Sequence, residues 1–162
     1  MTIRSALDTL TLVSAIGAGL VAGVFMVFST TIMKALGSLP PAQGIAAMQA
    51  INAIIVGPWF LTPFFGTAVS CLVLVVAGLA RWHAPVTPYW LAGSALYLAG
   101  ALLVTVCANV PRNTVMAALD PNSAESVRLW TDYLEGWTAW NHVRAAAALA
   151  AAICFTIAYR RA

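Results

Sequence analysis

Four stretches of this chain are long and apolar enough to cross a bilayer, and nothing else constrains its fold as much. They cover residues 8–33, 58–80, 88–110 and 138–159. A spanning helix needs about 20 predominantly apolar residues, and each stretch supplies them. The chain is 62% hydrophobic and only 8% charged, with a mean hydropathy of +0.89. A soluble domain carries about 25% charge. The expectation is an all-α integral membrane four-helix bundle, formed by residues 1–162 as one transmembrane domain.

The first apolar run exceeds the short core of a secretory signal, so it reads as a retained span. Pro58 and Pro88 suit first-turn positions, where a missing N–H costs little. Pro63 lies one turn into the second span and is placed to kink it. Two connections are themselves helical. Residues 44–56, GIAAMQAINAIIV, form an extra interfacial helix before span 2, ended by Gly57 and Pro58. Residues 124–137, AESVRLWTDYLEGW, form an amphipathic helix before span 4, with Ser123 as its N-cap. Val127, Trp130, Leu134 and Trp137 make its apolar stripe, opposed by Glu125, Arg128, Asp132 and Glu135. Gly136 is a candidate hinge.

The lysine and arginine distribution sets the orientation. With the N-terminus inside, Arg4, Arg81, Arg160 and Arg161 are cytoplasmic, and Lys34, Arg112 and Arg128 lie outside. This predicts both termini in the cytoplasm of a bacterial-type plasma membrane. The net charge of +3 is scattered, so no nucleic-acid partner is expected. Cys71, Cys107 and Cys154 lie in apolar runs with no CxxC pair and read as packing residues.

Polar residues inside a bilayer are costly, so their positions are informative. Gln49, Asn52, Asn109, Asn113, Asn141, His142 and Arg144 all fall toward the outer face, which span 1 reaches with Phe25, Phe28 and Ser29. Tyr133, Trp137, Asn141 and Arg144 recur at four, four and three, so they share a face if the helix continues through Gly136. Glu135, Thr138 and His142 lie on a neighbouring face. Pro111, in the VPRN turn, is expected to break the alignment of Asn109 with Asn113. Structural alternatives stand beside a functional one. Trp130, Trp137 and Trp140 suit an interfacial belt, Arg144 can snorkel, and the asparagines can bond between helices. Metal spacing is absent: the other histidine, His83, lies at the opposite face. No phosphate loop and no Ser-His-Asp set is present.

The runs MQAINAIIVGPWF (48–60), VPRN (110–113) and the tryptophan series ending in WNHVR (130–144) resemble the anthrone oxygenase-like family of small four-span membrane proteins. The resemblance implies a membrane monooxygenase that oxidises an apolar aromatic, anthrone-like, polyketide-derived substrate with O2. No cofactor is expected beyond O2 as co-substrate; a metal or heme would need methionine or water ligands, or a second subunit. On this reading His142 is the base, and Arg144 with Asn141 holds the oxyanion. Tyr133, Trp137 and Trp140 line the slot, and Asn52 and Asn113 orient the substrate. Asp132 or Glu135 is the alternative base. The expected partners are membrane lipid and an apolar aromatic small molecule, with a homo-oligomer left open. The competing reading is a non-enzymatic module that binds a lipid, quinone or other apolar metabolite, or a subunit of a larger membrane complex. A transporter is disfavoured, because the inner half of the bundle lacks polar residues to line a path.

Overall fold

The structure, a computed structural model, describes residues 3–162. Its architecture is four long antiparallel helices and one short one. They are α1 (Ile3–Gly37), α2 (Pro41–Ile55), α3 (Pro58–Ala80), α4 (Thr87–Ala117) and α5 (Ala124–Arg161). Helices α1, α3, α4 and α5 are long and apolar enough to span, and the short α2 precedes the second span, so the chain is an all-α integral membrane bundle. Pro41, Pro58 and Pro88 each sit in the first turn of a helix. Ser123 caps α5 by accepting from the Ser126 N–H at 3.1 Å.

Three helices run further than their apolar cores. At 1.5 Å per residue, the 35 residues of α1 and the 38 of α5 extend about 52 and 57 Å, well beyond a hydrocarbon layer of roughly 30 Å. Two expectations are corrected here. Gly136 is not a hinge: the amphipathic segment and the last span form one uninterrupted helix. A side chain at Gly136 would meet Arg112 Nε at 3.1 Å, so this glycine makes room for a neighbour. Nor does Pro111 end the third span, since α4 continues to Ala117. The backbone widens into π-helical turns at Leu96–Leu103 and at Thr105–Asn109, and the second holds the residue four before Pro111, whose carbonyl a regular helix would press against the proline ring. Arg112 Nη1 donates to the Ala108 carbonyl at 2.7 Å in the widened turn.

The interior has two layers. Within the membrane, Val21, Phe25, Phe64, Leu74, Trp90, Tyr97 and Phe155 interdigitate with small residues such as Ala101 and Ala148. Above it, Met33, Leu36, Ile45, Met48, Met116, Trp130, Tyr133 and Trp137 form a cap, where α2 packs against the protruding ends of α1, α4 and α5. Gln49 Nε2 fastens α2 to α4 by donating to the Met116 and Leu119 carbonyls, both at 3.0 Å. At the opposite end the Arg4 guanidinium donates to the Ala162 carbonyl, so the described ends of the chain lie together.

Candidate functional site

Between the membrane layer and the cap lies a cavity of about 190 Å³. Its walls are aromatic. Phe60 stacks on Phe64 at 5.4 Å, and Phe25 meets both edge-on at 6.0 and 6.2 Å. Phe28 and Trp137 close the cap side at 5.8 Å. Four of the lining residues, Val56, Phe65, Val106 and Val110, are exposed and apolar. The cavity therefore opens sideways, toward lipid, rather than toward water.

Arg144 reaches this cavity from α5 although only 4% of it is exposed. Its partners are all neutral. Nη2 donates to Asn141 Oδ1 at 2.5 Å and Nη1 to Thr105 Oγ1 at 3.3 Å. The guanidinium also lies over the Phe25 ring at 4.2 Å and the Trp137 ring at 5.0 Å. A buried cation with only neutral partners is energetically exposed. Its Nε, also buried, has no hydrogen-bond partner.

Asn141 holds the guanidinium from below. Its Nδ2 donates to the Phe25 carbonyl and to Ser29 Oγ, both at 2.6 Å, which tells its two ends apart and leaves Oδ1 for Arg144. Ser29 faces inward where α1 widens into a π turn at Phe28–Ile32. On the cap side, Asn113 Oδ1 accepts from the Tyr133 hydroxyl at 2.9 Å and from Trp137 Nε1 at 2.8 Å. Tyr133 stacks between Trp130 and Trp137, with centroids at 5.7 and 6.1 Å. Asn52 of α2 lies beside the same Tyr133 hydroxyl without reaching hydrogen-bond geometry, and its buried Nδ2 is unpartnered.

Thus Asn52, Asn113, Trp137 and Arg144 line one cavity, with Asn141 and Tyr133 directly behind them. His142 and Trp140 are not there. His142 is exposed on a groove between α1 and α5 with Lys34, Glu135 and Thr138. Trp140 is 42% exposed on the outer surface. Asp132 lies in a separate groove with Arg112, and Glu135 lies beside His142. Thr105 is a site residue that sequence reasoning missed; a single hydroxyl in an apolar span was the available signal. Among the described residues, no group of three or more His, Cys, Asp or Glu could hold a metal ion.

The family model for anthrone oxygenase matches residues 59–154, more than half of the chain. The chain belongs to the anthrone oxygenase family. The matched region carries α3, α4 and most of α5, and so Asn113, Tyr133, Trp137, Asn141 and Arg144. It leaves out α1 and α2, and with them Phe25, Ser29 and Asn52. The MQAINAIIV part of the sequence resemblance therefore lies outside the family match. No curated protein and no solved structure matches this member of the family.

Proposed function

We propose that the chain is a membrane oxygenase that takes an apolar, polycyclic aromatic ketone of the anthrone type into the lateral cavity and oxidises it with O2. The observation that carries this reading is the pair of buried, unpartnered donors, Arg144 Nε and Asn52 Nδ2, on two residues that line a largely apolar, partly aromatic cavity. Together they suit one carbonyl oxygen on a flat, apolar molecule. The ring system lies between the phenylalanines and Trp137, and it arrives through the lipid-facing mouth.

The benzylic C–H opposite the ketone is the reacting bond. When its proton leaves, negative charge collects on the carbonyl oxygen, beside the guanidinium. A buried, preoriented cation is worth far more there than in water. Among the described residues the cavity lining holds no carboxylate and no imidazole, so the chemistry rests on making the carbon acid stronger. The resulting anion passes electrons to O2. One oxygen atom becomes the new carbonyl and the other leaves as water, which takes up both benzylic hydrogens, so one O2 is consumed per substrate. Trp137 and Asn113 fix the cap-side wall, and Asn141 holds Arg144 in place. O2 is the only co-substrate in this reading. Following the basic residues, both termini are cytoplasmic and the cavity lies in the outer half of the membrane.

The test is O2 uptake by purified protein with an anthrone. The expected result is one O2 per anthrone, with the matching anthraquinone as product. Binding of the anthrone without O2 consumption above the spontaneous rate would replace this reading with that of a non-enzymatic carrier of apolar metabolites.

A further inference from the structure

A second face of the molecule carries polarity that the cavity does not use. The outward sides of α1 and α5 form a continuous surface. At the cap end it is a groove of about 540 Å³ that includes Thr30, Lys34, Glu135, Thr138 and His142. Deeper in the membrane it continues as a groove of about 370 Å³, floored by Gly19, Gly23, Ala145 and Ala146. Helical spacing keeps both sets in register. Gly19, Gly23, Met26, Thr30 and Lys34 follow one line along α1, and Glu135, Thr138, His142, Ala146 and Leu149 follow one line along α5.

Three observations together point to an occupant of defined chemistry. First, His142 is exposed on this face, beside Thr30, whose hydroxyl donates to the Met26 carbonyl at 2.8 Å. His142 lies seven residues, about 10 Å along the helix, deeper than Glu135, where a polar group turned toward lipid is costly. Second, Lys34 and Glu135 flank the groove at one level. A side chain at Gly37, one turn from Lys34, would touch Leu134 at 3.3 Å. A two-fold axis along the membrane normal sets Lys34 of one copy against Glu135 of the other, and the reverse. That reciprocity is what a self-complementary interface needs. Third, side chains added at Gly19 and Gly23 would meet nothing within 4 Å. Glycine inside a helix costs about 1 kcal/mol against alanine, yet no packing within the chain uses these two.

We propose that this face is the contact between two parallel copies of the chain. The charged rims pair reciprocally, His142 and Thr30 are withdrawn from lipid, and the helices cross closely at Gly19 and Gly23. Neutral phospholipid headgroups carry a phosphate and an ammonium but hold neither at a fixed place, whereas a second copy sets opposite charges against both Lys34 and Glu135. This inference does not depend on the proposed activity.

The test uses full-length protein, labelled with donor and acceptor fluorophores and reconstituted in vesicles of neutral phospholipid at graded protein-to-lipid ratios. Wild type is expected to show dimer-level energy transfer. A Cβ at Gly23 meets nothing within 4 Å, so Gly23→Leu should fold, as thermal unfolding will report, and should weaken association about tenfold or more. Glu135→Lys should weaken it, and the Lys34→Glu/Glu135→Lys pair should restore it. Gly66→Leu on α3, where a side chain also meets nothing within 4 Å, should associate like wild type. Monomeric wild type at every ratio, a Gly23→Leu variant that associates as tightly as wild type, or failure of the charge swap to restore association would overturn the proposal.

Discussion

Replacing Arg144 by methionine separates a binding role from a structural one, because the two predict opposite effects on stability. Arg144 is 4% exposed and its partners are neutral. Exchanging a buried ion for an apolar side chain of similar length is often neutral, or stabilising by about 1–4 kcal/mol. Against this, Asn141 Oδ1 loses its donor, which costs about 1–3 kcal/mol, and the contact with the Phe25 ring at 4.2 Å is lost. A desolvated contact of that kind is worth about 2 kcal/mol. These opposed effects leave the variant within about 2 kcal/mol of wild type. At about 2–4 °C per kcal/mol for a chain of this size, the thermal midpoint should move by no more than about 8 °C. Anthrone-dependent O2 uptake should nevertheless fall about 10²–10³-fold, as when one donor to a developing oxyanion is removed. Thermal unfolding in detergent and an oxygen electrode make the two measurements. Uptake within about threefold of wild type, under 1 kcal/mol in the barrier, would refute the role of Arg144. Loss of activity together with a stability loss above about 4 kcal/mol would show instead a structural staple.

Other perturbations follow from the same geometry. Asn52→Ala removes a donor that has no hydrogen-bond partner within the chain, so thermal stability should hold within about 0.5 kcal/mol while anthrone affinity, by fluorescence titration, drops about tenfold. Gly44→Ala would press a methyl to 2.8 Å from both the Leu36 carbonyl and the Trp130 ring; unfolding should show a loss of about 1–3 kcal/mol, with a shift in tryptophan emission. Tyr97→Phe removes the 3.0 Å hydrogen bond to the Phe64 carbonyl and should cost about 1 kcal/mol of stability. His142→Ala should leave O2 uptake per chain within about threefold of wild type, since its side chain lies on another surface.

The sequence made the spans legible because apolar runs of that length admit few other folds. The inner face of α5 was also legible, since Tyr133, Trp137, Asn141 and Arg144 recur at helical spacing and are all buried. Two local rules misled. Pro111 reads as a helix end, yet π turns upstream carry α4 through it, which depends on packing that no local window contains. His142 and Arg144 fall on neighbouring faces by spacing and are joined in one site only by the family resemblance, and positions i and i+2 of a helix point to different sides. One enters the cavity and the other faces outward. Of the amphipathic stripe, Trp130 and Trp137 are buried, but Val127 is exposed and Leu134 half-buried, with Ser126 and Tyr133 holding those buried places. Thr105 went unnoticed because one hydroxyl in an apolar span most often bonds to its own helix. It does bond the Ala101 carbonyl at 2.7 Å, and it accepts from Arg144 as well.

The most direct test is a structure of the protein in lipid with an anthraquinone product bound. The ring system is expected between Phe25, Phe60, Phe64 and Trp137, with one carbonyl oxygen within about 3.2 Å of Arg144 Nε and accepting from Asn52 Nδ2. A quinone lodged in the outer groove beside His142, with the Arg144 cavity left without it, would contradict the account.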